Sequence, residues 1–314
     1  MSKPILVGYD PRTRDRAPVH FGVAAVRCTG APLVIASVSL SATALDRLGS
    51  GQMDEELATG ALQALDEVEA ELAADDLEVR CIELKGISAA RALHEAAEAE
   101  DAGLLVIGST VDAPLDRLRP GSTARRLMHG APCPIALVPH GWAPRGGVRT
   151  IGAAYVDSEE AREALRGAHA LARRAGARLR VLTVVKRHLG MYAETEPHLG
   201  VRPAKSIEEV EGEHRVRAER ALQAVVAGLS DDVAIEVEAF VDDDPAEVLV
   251  DVSEHLDLLV CGSRGYGPLR AVLLGGVSRR IATAAKCPVI VLPRGVRASL
   301  EALTSAAAGA SVGR

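Results

Sequence analysis

Short apolar runs alternate along the chain with longer segments of helical periodicity. The apolar runs predict strands near residues 4–9, 32–39, 77–84, 103–108 and 134–139, and again near 149–156, 177–185, 232–240, 257–262 and 287–293. Buried strands that alternate with helices are typical of right-handed βαβ crossovers. The pattern therefore predicts an α/β fold with a mostly parallel, doubly wound sheet of five strands in each half.

One helix is especially well marked by the pattern of its residues. Its apolar face is formed by Ala161, Leu165, Ala168 and Ala172. This spacing places the four side chains on one side of a helix. Ser158 is a favourable N-cap, and Gly176 is a typical terminator. We therefore predict a helix that begins after Ser158 and ends before Gly176.

The two halves are copies of one unit. GLLVIGS at 103–109 matches DLLVCGS at 257–263, and APCPIALVP at 131–139 matches AKCPVIVLP at 285–293, with the same offset of 154 residues. A fixed offset over several motifs indicates an internal repeat. Asp10 and Asp157 are only 147 residues apart, so the second copy carries an insertion, which we place in the polar stretch 186–207.

These features predict three regions in the chain. Two domains cover residues 1–141 and 148–296, with a linker rich in Gly and Pro between them. Residues 297–314 are rich in Ala, Ser and Gly, which predicts a flexible C-terminal tail. The apolar segments 134–139 and 287–293 lie near a sheet edge in each copy. Because exposed edges need a cover, we expect these two segments to be covered rather than left open to solvent.

Composition narrows the functional class. The formal net charge is −7 and no basic cluster stands out, which argues against a nucleic-acid partner. No apolar run is long enough to span a bilayer, so we expect a cytoplasmic protein without a membrane partner. The five cysteines form no C-x-x-C pair and no disulfide framework is expected.

A glycine-rich loop follows the fourth strand of the second copy. Gly262, Gly265 and Gly275 have the spacing G-x2-G-x9-G, and the next residues open a helix. In doubly wound sheets, ligands bind beyond the carboxyl ends of the strands, where glycines and helix N-termini can approach phosphate groups. Read alone, the loop equally fits a glycine-rich turn.

This spacing resembles the G-x2-G-x9-G-[ST] signature of the ATP-binding branch of the universal stress protein family. The segments ILVGYD and IGAAYVD, DDPAEVL at 243–249 and CPVIVLP at 287–293 are also similar to that family. The resemblance covers nearly the whole chain twice. It implies two tandem UspA-like domains with Rossmann-like (HUP-type) five-stranded sheets. It also implies that segments 134–139 and 287–293 pair across a pseudo-two-fold axis within the chain, with further homodimerisation left open.

The resemblance implies two sites. In the second half, the implied nucleotide-binding residues are Asp157, Val184, Cys261, Gly262, Gly265, Gly275, Gly276, Val277 and Ser278. Asp157 would also face Mg²⁺ bound with ATP. Gly276 departs from the family pattern, which has Ser or Thr at that position.

In the first half, the matching residues are Asp10, Val38, Ile107, Gly108, Gly121 and Ser122. Val111 replaces the second glycine there, and Ala124 stands where the second half has Ser278. We therefore expect the second half to bind ATP better, and Gly265→Val to weaken binding more than Val111→Gly strengthens it. From the residues alone, Asp10 and Asp157 equally fit turn starts or helix caps.

Two functional hypotheses follow. The favoured one is a regulatory, stress-response protein that binds ATP with Mg²⁺, hydrolyses it slowly at most, and signals nucleotide state to an unidentified protein partner. No nucleophile–base pair is evident, so we do not expect an enzyme. The alternative is a structural or interaction protein that keeps the fold with degenerate sites. A Rossmann dehydrogenase is excluded because its glycine motif belongs after the first strand.

Overall fold

A computed structural model describes residues 2–40, 53–73, 77–110, 112–144, 146–187, 207–263 and 275–293, together with residues 300 and 303. The first half contains β1 (Ile5–Gly8), α1 (Ala17–Thr29), β2 (Leu33–Leu40), α2 (Met53–Leu72), β3 (Val79–Gly86), α3 (Ala89–Ala99), β4 (Leu104–Gly108), α4 (Ser122–Met128) and β5 (Ile135–Val138). A 3-10 turn, Pro11–Thr13, lies between β1 and α1.

The second half repeats this order. It contains β6 (Thr150–Ala154), α5 (Glu159–Ala175), β7 (Arg178–Val185), α6 (Ile207–Val226), β8 (Ile235–Val241), α7 (Pro245–Val252), β9 (Leu258–Gly262), α8 (Gly276–Ala284) and β10 (Val289–Leu292). All ten predicted strands are present at the expected places. The insertion expected at 186–207 lies mostly outside the described residues.

All ten strands belong to one sheet with the order β3-β2-β1-β4-β5-β10-β9-β6-β7-β8. Within each half the neighbouring strands are parallel, as predicted for a doubly wound fold. The halves meet where β5 and β10 pair antiparallel, with Ile290 opposite Ala136. The predicted pairing of the two fifth strands within the chain is confirmed.

Apolar side chains on both faces of the sheet explain why the strands read as unbroken apolar runs. One cluster of buried residues includes Ile5, Val7 and Ile151, and the other includes Leu6, Leu105 and Leu259. Successive side chains of a strand point to opposite faces, so β1 contributes to both clusters. Each cluster contains residues from both halves, and the core therefore runs across the junction.

The helix predicted after Ser158 is α5, and its ends are as expected. The Ser158 side chain accepts a hydrogen bond from the Ala161 N–H. Gly176 ends the helix in the left-handed region, with φ of 62°. Glycine adopts this conformation without steric cost, so the sequence signal has a direct physical basis.

The C-terminal region differs from the prediction at two positions. Leu300 and Leu303 are helical and almost fully buried, with 0% and 1% of their surface exposed. They lie in the cluster that contains Ile5 and Ile151. The composition of residues 297–314 predicts flexibility because it is dominated by small residues, and it conceals these two apolar anchors.

Two further properties concern the described residues. None of their helices combines the length and apolar character that crossing a bilayer requires. The five cysteines are free: Cys133, Cys261 and Cys287 are buried, and Cys28 and Cys81 are half-buried. Burial raises the pKa of the Cys133 and Cys261 thiols to about 12, so both are neutral packing groups near pH 7.

Candidate functional site

A cavity of about 330 Å³ opens at the carboxyl ends of the strands in the first half. All six residues that the resemblance selects in this half line it: Asp10, Val38, Ile107, Gly108, Gly121 and Ser122. Parallel strands place their carboxyl ends at one edge of the sheet, which explains why residues so distant in sequence meet here.

The inner part of this cavity is apolar. Pro18, Ala36, Val38, Ala89, Leu93 and Ile107 contribute to it. Most of these positions went unnoticed in the sequence, because small and aliphatic side chains at strand ends look like ordinary core residues. Ile107 is buried and Val38 is half-buried. The wall they form suits a flat, weakly polar group.

Asp10 lies at the mouth of the cavity and is already paired. The Arg12 guanidinium donates to both carboxylate oxygens, over 2.9 Å and 2.7 Å. The same carboxylate caps the 3-10 turn by accepting from the Arg12 N–H. The hydrogen bond to Asp10 raises the pKa of Arg12, so the guanidinium stays protonated near neutral pH. Asp10 is therefore both a cap and a charged group on the cavity wall.

The opposite rim is formed by the start of α4. Gly121 is the N-cap residue and supplies no side-chain cap, so the first N–H groups of α4 lack a side-chain partner. A Cβ atom at Gly121 would lie 3.0 Å from Thr110 Cγ2. The Thr110 hydroxyl is buried and, within the described part of the chain, has no hydrogen-bond partner. This rim presents polar groups that a bound ligand could satisfy.

The loop before α4 is held in place by the sheet and by the second half. Ser109 Oγ donates to the Val138 carbonyl over 3.0 Å and accepts from the Arg119 N–H over 3.1 Å. Leu118 is buried, and its N–H donates to the Ala285 carbonyl at the end of α8 over 2.9 Å. The rim of the first cavity therefore rests partly on the other copy.

Asp15 also lines the cavity, but hydrogen bonds occupy its carboxylate. Its Oδ1 accepts from the Ala17 and Gly141 N–H groups, over 3.0 Å and 3.3 Å. Its Oδ2 lies 3.1 Å from His140 Nδ1. Asp15 therefore ties the loop after β1 to the end of the first copy.

The equivalent cavity of the second half is much smaller, at about 40 Å³. Val184, Cys261, Gly262, Val277 and Ser278 line it, whereas Asp157, Gly275 and Gly276 do not. Gly265 and the rest of residues 264–274 are outside the described residues, as is Val111 in the first half.

The first turn of α5 packs its backbone against Gly262, where the first half has the Pro18 side chain, 2.6 Å from a Cβ atom placed at Gly108. A Cβ atom at Gly262 would lie 3.0 Å from the Glu160 carbonyl carbon and 3.2 Å from the Ala161 nitrogen. In the first half, a 3-10 turn and a loop separate β1 from α1. Helix α5 begins at Glu159, soon after β6, and its backbone lies directly against the end of β9.

The strand register corrects the equivalence of Asp10 and Asp157. Ile5 pairs with Leu33 and Leu104, and Ile151 pairs with their counterparts Leu179 and Leu258. Ile5 and Ile151 are thus equivalent, as are Tyr9 and Tyr155 after them.

Val156, rather than Asp157, follows Tyr155 and stands in the place of Asp10. The Asp157 side chain is 79% exposed and pairs with Arg162. Asp157 therefore does not line the described cavity of the second half, and its contact with a ligand stays a prediction. The extra residue directs its carboxylate outward, away from the cavity.

Two other expected phosphate contacts are already used within the protein. Ser278 is buried, and its hydroxyl donates to the Gly262 carbonyl over 2.8 Å. The Gly275 N–H donates to the Ser263 carbonyl over 2.7 Å. A hydroxyl has one hydrogen to donate, so Ser278 is not a free phosphate donor here. Arg280 is likewise engaged, since it pairs with Asp244, the N-cap residue of α7.

Among the described residues, no group of three or more His, Cys, Asp or Glu side chains is arranged to hold a metal ion. A cation bound with a nucleotide would take part of its coordination from phosphate oxygens. The carboxylates that line the first cavity are Asp10, Asp15 and Asp112.

The fold and cavity define a tandem α/β protein with an open cavity at the carboxyl edge of its sheet. The model of the universal stress protein family matches residues 1–139 and again residues 147–293. The chain therefore belongs to the universal stress protein family.

Similar proteins agree with this assignment. A universal stress protein of Mycobacterium tuberculosis is 26% identical over 298 residues, which cover 92% of this chain and 99% of that protein. One of Thermus aquaticus is 31% identical over 149 residues, which cover 46% of this chain and 98% of that protein.

Solved structures are similar over both copies. The crystal structure of a universal stress protein from Archaeoglobus fulgidus superposes with a TM-score of 0.66 at 17% identity, covering 94% of this chain and all of that one. The crystal structure of a putative universal stress protein from Pseudomonas aeruginosa superposes with a TM-score of 0.65 at 21% identity. The match covers 97% of this chain and 98% of that one. At these identities the likeness concerns the fold.

Proposed function

We propose that this chain is a regulatory nucleotide-binding protein and that its first half holds ATP together with Mg²⁺. The observation that carries the proposal is the cavity of about 330 Å³ lined by all six first-half residues of the family signature. Its volume is at the lower end of the range for small-molecule pockets.

The adenine ring is assigned to the apolar wall. Val38, Leu93 and Ile107 offer aliphatic surface to a flat ring, and β2 ends beside them. Backbone groups at the end of β2 would give the ring edge its hydrogen bonds. Burial of the ring supplies affinity, while the backbone groups supply orientation.

The polar rim is assigned to the ribose and phosphates. Asp10 faces the ribose side, and the N–H groups at the start of α4 suit phosphate oxygens. The unpartnered Thr110 hydroxyl adds a donor beside Gly121. These residues fit a nucleotide because they combine a hydrophobic wall with convergent donors.

A divalent cation is part of the proposal because of the charge on the cavity wall. Asp10, Asp15 and Asp112 line the cavity, and Arg12 is the only basic residue among its described lining residues. Arg12 is already paired with Asp10. A bare polyphosphate would meet carboxylates here, and Mg²⁺ would neutralise part of that charge.

Hydrolysis is expected to be slow. Asp10 is ion-paired with Arg12, and both oxygens of Asp15 already have donors or His140 beside them. A general base needs a free carboxylate or imidazole within reach of the attacking water. We therefore expect turnover below about 1 per second, the lower end of ordinary enzyme rates. In this proposal the bound nucleotide changes the surface offered to a protein partner.

Matched substitutions test the proposal. Thr123 and Val277 are the second residues of α4 and α8, both are half-buried, and each lines the cavity of its own half. Thr123→Phe fills the first cavity, and calorimetry should show ATP–Mg²⁺ affinity falling at least about tenfold, a loss of 1.4 kcal/mol. Val277→Phe should leave the affinity unchanged. Circular dichroism checks that both variants fold.

The outcomes separate the alternatives. If only Val277→Phe weakens binding, the nucleotide belongs to the second half, as the glycine motif predicts. If the unmodified protein shows no calorimetric response to ATP with Mg²⁺, the proposal fails. The small cavity among the described residues of the second half favours a structural role for that copy. The absence of a calorimetric response would extend that role to the whole chain.

A further inference from the structure

An apolar groove runs between α1 and α5, where the two halves meet on one face of the sheet. The helices touch directly: the Arg174 guanidinium donates to the Thr29 carbonyl over 3.1 Å. Its lining includes Ile5, Phe21 and Cys28 of the first half and Ile151, Leu171 and Leu258 of the second. Both halves contribute, and nearly all of these side chains are apolar.

Leu300 and Leu303 fill this groove. Both are buried, at 0% and 1% exposure, and a residual space of only about 40 Å³ remains beside them. Residues three apart on a helix share one face, so the pair presents a single apolar edge. No polar side chain is needed to hold the pair, because removal of leucine surface from water is itself favourable.

Each leucine packs against a glycine, in the space that a larger side chain would occupy, and we call these two positions the seats. A Cβ atom at Gly103 would lie 2.5 Å from Leu303 Cδ2, and one at Gly167 would lie 2.7 Å from Leu300 Cβ. Gly103 belongs to the first half and precedes β4, whereas Gly167 lies in the middle of α5. The leucines therefore bridge the copies, one seat in each.

Glycine is an unfavourable residue at position 167 unless a close contact requires it. Glycine in a helix interior is less favourable than alanine, and α5 is helical on both sides of it. The three atoms nearest to a Cβ at this position all belong to Leu300. Close approach of the C-terminal segment therefore accounts for a glycine at this position.

We propose that the groove between α1 and α5 is a docking site for Leu300 and Leu303 of the same chain, and that these two leucines act as a clasp that holds the two copies together. Shape complementarity identifies the occupant, because the groove places a glycine seat opposite each leucine. Undocking would expose an apolar surface shared by both halves, so the clasp controls access to that surface. This proposal is independent of nucleotide binding.

A double-mutant cycle in the full chain tests the seats. Gly167→Ala should lower the midpoint of thermal unfolding by about 4 °C, because the new methyl group meets Leu300. In the Leu300→Gly background that obstacle is gone. Gly167→Ala should then raise the midpoint by about 2 °C through helix propensity.

Gly212 provides the matched control. It also lies inside a helix, α6, and a Cβ there would meet nothing within 4 Å. Gly212→Ala should raise the midpoint in both backgrounds. If Gly167→Ala behaves like Gly212→Ala and stabilises both, Leu300 does not occupy the seat and the proposal is overturned.

Thiol labelling tests whether the leucines cover the groove. Cys28 lines it, whereas Cys81 lies on β3, far along the sheet order. In the folded Leu300→Gly/Leu303→Gly variant, the maleimide labelling rate of Cys28 should rise at least about tenfold, as read by peptide mass spectrometry. The Cys81 rate should stay constant. An unchanged Cys28 rate would refute the clasp.

Discussion

The two copies share a fold but differ in the space they leave at the carboxyl edge of the sheet. The first encloses about 330 Å³, while the described part of the second encloses about 40 Å³. The copies also differ in how the first strand leads into the first helix. In the first copy a loop follows β1, whereas in the second the extra residue and the early start of α5 bring helix backbone against Gly262.

In this chain, the copy that carries the glycine motif is not the copy that has the open cavity. The second copy carries the fuller glycine spacing, yet its described residues enclose only a small cavity. The Ser278 hydroxyl there donates its hydrogen bond to the Gly262 carbonyl. The first copy has an imperfect motif and an open pocket. The motif ranking and the cavity geometry therefore predict opposite sites for the nucleotide.

The largest expected difference between the copies lies at their aspartates. Asp10→Ala removes a charged group from the open cavity, and we expect ATP–Mg²⁺ binding to weaken roughly 10- to 150-fold, as for loss of a charged hydrogen bond of about 1.5–3 kcal/mol. Asp157→Ala removes an exposed partner of Arg162 and should change affinity less than about twofold. Calorimetry on both variants measures this.

A reversed result would favour the glycine motif over the cavity. In that case Asp157→Ala would be the damaging change, and Gly265→Val would weaken binding more than Thr123→Phe. The second copy would then have to open at α5 to admit the ligand.

The next prediction concerns the contact between α5 and the end of β9 in the second copy. Gly262→Ala places a methyl group against the backbone of Glu160 and Ala161, and should lower the free energy of unfolding by about 1–3 kcal/mol. Gly212→Ala, in open space, should raise it by up to about 1 kcal/mol. Urea denaturation compares the two. Equal stabilisation by both changes would mean that α5 stands away from β9 and leaves the second site open.

The smallest expected difference is in acid sensitivity. The equivalent helices α3 and α7 are capped by Ser88 and Asp244. The hydrogen bond from Arg280, with those from backbone N–H groups, lowers the pKa of Asp244. A lowered carboxyl pKa contributes stability that is present above the unfolded value near 4 and is lost as pH falls through the folded value.

We therefore expect Asp244→Ser to flatten the decline of the unfolding midpoint between about pH 4 and pH 2. Ser88→Ala should lower the midpoint equally at all pH values, because serine does not titrate in this range. Thermal melts across the acid range compare these variants with the unmodified chain. A decline as steep in Asp244→Ser as in the unmodified chain would contradict the assigned role of the cap.

Much of the fold was predictable because its signals are local. Buried strands such as β4 and β9 read as apolar runs, and Ser158 and Gly176 mark the ends of α5 by their own backbone chemistry. The pairing of β5 with β10 was predictable from the need to cover an edge together with the family resemblance.

The site was less predictable because it depends on register and on distant contacts. The first strand is followed by Tyr9-Asp10 in one copy and by Tyr155-Val156-Asp157 in the other, and the two segments look alike in sequence. Only the strand pairing shows that Val156, and not Asp157, is equivalent to Asp10. Leu300 and Leu303 stand in a small-residue tail, and their burial depends on Gly103 and Gly167 far away in sequence. Neither effect has a local signature.

The antiparallel pairing of β5 with β10 has an evolutionary consequence. In a homodimer joined by such a ladder, every change would appear on both sides of the symmetry axis, and an extra residue after the first strand would alter both sites at once. The ladder here is held by backbone groups of one polypeptide. Each copy can therefore accumulate its own substitutions while the junction stays intact, so one can lose its cavity without cost to the other.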